Sequence, residues 1–220
     1  MIYDKLICSF VLTALLFTMP ANAQAQDQIL LDVPFLSQAP TFQWSDDRFQ
    51  SGCEEASVLM ALAWAGVRQL PHSQKAQAKA ILDLVAFEES RWGGSHDTST
   101  ADTVRFMREY SGYTKISVKY GIRWRDVLGA LESGSLVLVP ADGRKLKNPN
   151  FKGLGPQEHM LVVRGYDYVK EEFITNDPGT RHGKEYRYPR SVLQDAIRDY
   201  KTGKKEKGRP RIKAMIVVDK

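Results

Sequence analysis

What most constrains this chain is the order in which two hydrophobic periods appear along its 220 residues. Between Glu54 and Glu132 apolar residues recur at helical spacing, and from Ser135 onward they gather into β-branched runs bounded by turn residues. Helices are predicted at 54–65, 73–87, 99–110 and 124–132, the first with Val58, Leu59, Leu62 and Ala65 on one face and Gly66 as its stop. A short strand is predicted at 115–119, and four more at SLVLVP, EHMLVVRGYDY, EFITND and RIKAMIVVD. Upstream, LLDVPFLSQ at 30–38 alternates apolar and polar residues up to a proline and reads as an edge strand or extended arm. Helices first and strands later predict an α+β domain, a helical half packed on an antiparallel sheet.

The chain opens on MIYDK and the apolar run LICSFVLTALLFTM, too short to cross a bilayer, then Pro20 and the small-x-small stretch Ala21-Asn22-Ala23. This predicts a signal peptide at 1–23, cleavage after Ala23, and a single domain at 24–220 in a secreted or periplasmic protein without stable membrane insertion. Removing that segment leaves the net charge at +5, too small an excess to argue for nucleic acid as a partner. The basic stretch KTGKKEKGRPR at 201–211 is glycine-punctuated and reads as a solvated loop, with an anionic envelope surface as its alternative contact.

Export removes Cys8 and leaves Cys53 alone in an oxidising compartment, so no intramolecular disulfide can form. A lone thiol there is buried and inert, paired with another chain, or kept free for its reactivity. QSGCEEASVLMALAWAG sets Cys53 at a helix start, where unpaired N–H groups and the helix dipole favour a thiolate. Glu54 and Glu55 oppose that field unless they turn outward to solvent. A thiol nucleophile also needs a base, and of His72, His96, His159 and His182 only His159 opens a predicted strand, where the backbone is rigid. Asp177, in FITNDPGT at the end of the next strand, suits the acceptor that orients the ring, while strand alternation turns Asn176 the other way. An oxyanion donor would join the Cys53 N–H. Gln38, Gln43 and Gln50 are available, and Gln38 is preferred because it ends an extended segment.

VPFLSQ, GCEEASVLMALAWAG, EHMLVVRGYD and FITNDPGT together resemble the papain-like cysteine peptidase superfamily, and within it the bacteriocin-processing, double-glycine type of peptidase domain and its stand-alone secreted relatives. The resemblance implies a papain-like α+β fold and a thiol hydrolase with Cys53 as nucleophile, His159 as base and acid, Asp177 as orienter and Gln38 as oxyanion donor. It implies no cofactor, and a peptide or protein substrate, an envelope component among the candidates. Bacteriocin-processing members commonly carry aspartate, cysteine, glycine where this chain has Gly52, Cys53, Glu54, and they are fused to transporters, so cleavage after a double-glycine leader is not carried over.

The same machinery could transfer an acyl group to an amine, and a domain that has lost turnover could serve as a peptide- or envelope-binding module. A metal site drawn from His72, His96, Asp97 and His182 lacks the spacing of zinc ligands, so no metal is expected. The four tryptophans read as core or cleft packing, Trp44 being the one placed to line a groove. The long connection ADGRKLKNPNFKGLGPQ leads straight into His159 and is expected to shape the cleft edge beside it.

Overall fold

A computed structural model describes residues 27–94, 97–203 and 212–220. The expected signal peptide, Cys8, His96 and positions 204–211 of the basic stretch lie outside the described residues.

The helical half comprises α1 (Asp47–Gln50), α2 (Cys53–Trp64), α3 (Gln74–Trp92) and α4 (Thr100–Ser111). α3 runs five residues beyond its predicted end at Phe87. Ser73 caps its start by accepting from the Ala76 N–H, and the left-handed Gly93 ends it, so the stop signal lay further on than the hydrophobic period suggested. α2 is buried nearly all round rather than on one face. The reason is its position: α3, α4 and the sheet all pack against it, and an all-apolar helix fills such a central place.

Strands β1 (Gln28–Leu30), β2 (Ile116–Tyr120), β3 (Leu136–Ala141), β4 (His159–Asp167), β5 (Glu172–Asn176), β6 (Tyr186–Pro189) and β7 (Ala214–Val218) form one sheet, with α5 (Trp124–Glu132), α6 (Gly143–Leu146) and α7 (Arg190–Ala196) between them. The order is β2-β7-β3-β4-β5-β6, every pairing is antiparallel, and β1 adds to β4 off this path. After β1 the segment from Leu31 to Gln38 is an extended arm rather than a strand, and Asn176 Nδ2 ties it down by donating to the Val33 and Pro34 carbonyls. α6 and the pair β6–α7 were not predicted. Their apolar residues are too few and too evenly mixed with arginine and tyrosine to show a period.

Two apolar clusters flank the sheet. One joins α2, α3 and α4 to Leu138, Met160, Val162 and Ile216, and the other joins α5 and α7 to Val137, Val139, Leu161 and Val163. Strands buried on both faces read as continuous apolar runs, as SLVLVP and HMLVV do. The helical half and the seven-stranded antiparallel sheet make the α+β, papain-like architecture expected from the sequence. No helix among the described residues is long and apolar enough to cross a membrane.

Candidate active site

Gly52 caps α2, and a β-carbon there would approach the Arg48 carbonyl to 3.0 Å, so glycine lets α1 fold tightly against the start of α2. Cys53 follows as the first helical residue, 2% exposed and a free thiol. Its Sγ donates to Glu54 Oε2 at 2.9 Å. Burial pushes the thiol well above its ordinary pKa, and the Glu54 and Asp97 charges push it further in the same direction. The helix-end field expected to favour a thiolate is therefore outweighed, and the resting sulfur carries its proton.

The outward turn that would have let Glu54 and Glu55 spare the thiolate is not made, since both are buried. Glu54 Oε1 accepts from the Tyr200 hydroxyl at 2.6 Å and from the Thr98 N–H at 3.2 Å. Helical periodicity explains the inward turn: α2 is enclosed, so its first turn has no solvent side to offer. Glu55 faces Glu88 of α3. Burial, then the charge of Glu54, holds the Glu88 carboxyl up to about 8, and burial followed by the charge of Glu88 raises Glu55 as well.

His159 begins β4 and Asp177 directly follows β5, and the hairpin register that sets Val162 opposite Asn176 brings them together. His159 Nε2 meets Asp177 Oδ1 at 2.8 Å, with both side chains buried. The remaining ring nitrogen, Nδ1, is then the one left to handle another proton. Asp177 Oδ1 also accepts from the Gly179 N–H at 3.0 Å, and Oδ2 accepts from the Tyr188 hydroxyl at 2.6 Å. Tyr188 in turn accepts from Asn148 Nδ2 at 2.7 Å. Burial alone would raise Asp177, but the His159 charge and these donors hold its carboxyl below the usual aspartate value.

Gln38 lines the same cavity as Cys53 and His159, but its Nε2 donates to the Phe49 and Gln50 carbonyls at 2.9 and 2.8 Å. Both amide protons are thus engaged, and turning the amide over would set Oε1 against two carbonyls. Gln50 also lines the cavity while donating to the Trp44 carbonyl at 2.7 Å. Gln43 is exposed and outside it.

The cavity is about 770 Å³, a volume suited to a few peptide residues. Phe42 and Trp44 line it, as do Asn150, Phe151 and Lys152 of the long 142–158 connection, together with Arg181 and His182. Phe151 packs edge-on against the His159 ring, centroids 5.4 Å apart, so the connection does shape the cleft beside the histidine. His182 is in the cleft wall, bonded to Arg181, while His72 lines a separate groove with Pro34 and Arg68.

Tyr188, Asn148, Thr98 and Tyr200 escaped the sequence reading because they are far apart along the chain, three of them in connections outside helix and strand, and carry no local motif. Gly179 left a signal in NDPG. A β-carbon there would stand 2.8 Å from His159 Cε1, so the glycine admits the ring as well as making the turn. Gly183 is as constrained, since a β-carbon would fall 1.8 Å from the Asp177 carbonyl oxygen.

No curated protein matches the chain. Among solved structures, a C39-like peptidase from Bacillus anthracis is similar at a TM-score of 0.56 and 17% identity, over 89% of this chain and 99% of that one, a likeness of fold. The model of the Peptidase_C39 like family matches residues 30–207. Matched over most of its length, the chain belongs to the Peptidase_C39 like family and has a papain-like, cysteine peptidase-like fold.

Proposed function

We propose that this domain is an exported thiol hydrolase that cleaves peptide or isopeptide amide bonds through Cys53, His159 and Asp177. The observation that carries the reading is the buried 2.8 Å contact of His159 with Asp177 at the wall of a cleft that Cys53 also lines. Asp177 accepts the Nε2 proton and fixes the tautomer, which leaves Nδ1 as the base. When a substrate carbonyl enters, Cys53 turns from Glu54 toward His159 and passes its proton to Nδ1. The thiolate attacks the carbonyl carbon, and the oxyanion is met by the Cys53 N–H at the start of α2. Gln38 supplies the second donor by exchanging its bond to the Gln50 carbonyl. His159 returns the proton to the leaving amine, and water, deprotonated by the same ring, hydrolyses the thioester.

The N-terminal signal pattern points to a substrate in the envelope or outside the cell. A peptide library scored by mass spectrometry tests the reading: wild type cleaves members that Cys53→Ala leaves intact, and equal cleavage by Cys53→Ala refutes it. An added amine separates transfer from hydrolysis by the mass of the product.

A further inference from the structure

Glu54 is the buried acid that the proposed hydrolysis does not use, and it does not stand alone. Sγ of Cys53 and one carboxylate oxygen each from Glu54 and Asp97 all lie within 4.8 Å of one another. We propose that these three atoms form a site for a thiophilic divalent cation of the zinc class, and that the bound cation holds Cys53 as a metal thiolate and suspends turnover. The inhibitory half rests on the proposed hydrolase, and the binding half does not.

Three further observations support a ligand here. Glu54 is pre-oriented: Tyr200 and Thr98 both bond Oε1, which leaves Oε2 facing the sulfur, as outer partners orient metal-binding carboxylates. Glu88 is 1% exposed and neither of its carboxylate oxygens has a hydrogen-bond partner among the described residues. It lies close enough to Glu54 to feel its charge, and Glu55 Oε2 is likewise buried without a hydrogen-bond partner among the described residues.

Chemistry then selects the ion. A thiolate with two carboxylates suits zinc and similar borderline-soft ions, whereas magnesium and calcium take oxygen ligands. Metal–sulfur and metal–oxygen bonds of about 2.3 and 2.0 Å at a tetrahedral angle set sulfur and oxygen about 3.5 Å apart. The present 2.9 Å Sγ–Oε2 contact therefore opens by a small turn of the thiol, whose proton leaves to solvent as the bond forms. Asp97 is half-buried, and a fourth position remains for water.

The test titrates Zn²⁺ into the purified protein against a chromogenic chelator, for wild type and for Cys53→Ser, Glu54→Gln, Asp97→Asn and His159→Ala. Wild type should bind one equivalent, the first three variants should lose at least about tenfold in affinity, and His159→Ala should bind as wild type does. Co²⁺ should give a thiolate charge-transfer band that Cys53→Ser lacks, and Asp97→Asn, at a half-buried position, keeps the test valid if Glu54→Gln misfolds. Absence of stoichiometric binding overturns the site. So does binding lost in His159→Ala but kept in Asp97→Asn, which would place the ion between cysteine and histidine. Inhibition is read separately, as protection of Cys53 from alkylation that a chelator reverses, and its absence overturns the regulatory half. Zinc bound as predicted to a protein without hydrolase activity refutes the catalytic reading alone.

Discussion

Asp177 shows how much one buried carboxylate does in this fold. Its two oxygens take His159, Gly179 and Tyr188, so it orients the ring and anchors the turn that follows β5. Replacing it with asparagine keeps the shape but offers an N–H₂ where an acceptor is needed, and favours the wrong histidine tautomer. Asp177→Asn should lower kcat by a factor on the order of 10³–10⁴ with little change in KM, measured on any peptide the wild type cleaves. Tyr188→Phe removes one donor and should cost about tenfold. The lowered pKa of Asp177 also has a sign for stability. Its folded value lies below the ordinary 3.8, so the unfolded chain takes up the proton first. The stabilisation is complete above about pH 4 and is lost as pH falls through the folded pKa. Urea unfolding of wild type should weaken over that acid range, and Asp177→Asn should lack this component of the slope.

The site depends on elements coming together at a few tight approaches. Gly165 lies at the irregularity in the β4–β5 ladder, and a β-carbon there would fall 2.3 Å from the Ile29 carbonyl oxygen of β1. Gly165→Ala should push β1 off β4 and destabilise by about 1–3 kcal/mol, read from urea midpoints. Gly179→Ala acts on chemistry instead, since its methyl meets the His159 ring and should lower kcat more than it lowers the melting temperature. At this scale the sequence was informative where one residue type has one strong reason. The helix beginning at Cys53, the strand opened by His159 and the acid ending the next strand all follow from period, turn residues and hairpin geometry. Glu54 and Glu55 were legible as first-turn acids but not as buried ones, because whether that turn meets solvent depends on α3 and α4 packing around it. Tyr188 and Tyr200 were illegible for the same reason: their partners are 11 and 146 residues away.

Across the whole molecule, one sheet is shared by two apolar clusters. Leu62 is fully buried in the cluster under the helices, so Leu62→Ala should cost about 2–5 kcal/mol through the cavity it leaves. Because β3 and β4 supply alternate residues to both faces, neither cluster can be lost while the other stands. A variant keeping only Trp124, which packs on the far cluster, should unfold in urea with the same midpoint as the far-ultraviolet signal. Separate midpoints would show two independently stable layers.

Turnover by this domain depends most directly on His159 activating Cys53. The decisive measurement is the rate of Cys53 alkylation by iodoacetamide, followed by mass spectrometry in the presence of a chelator, for wild type, His159→Ala and Asp177→Asn. Wild type should react at least about tenfold faster than His159→Ala, with Asp177→Asn between them. Equal rates in all three, or a wild-type thiol that does not react, would contradict it.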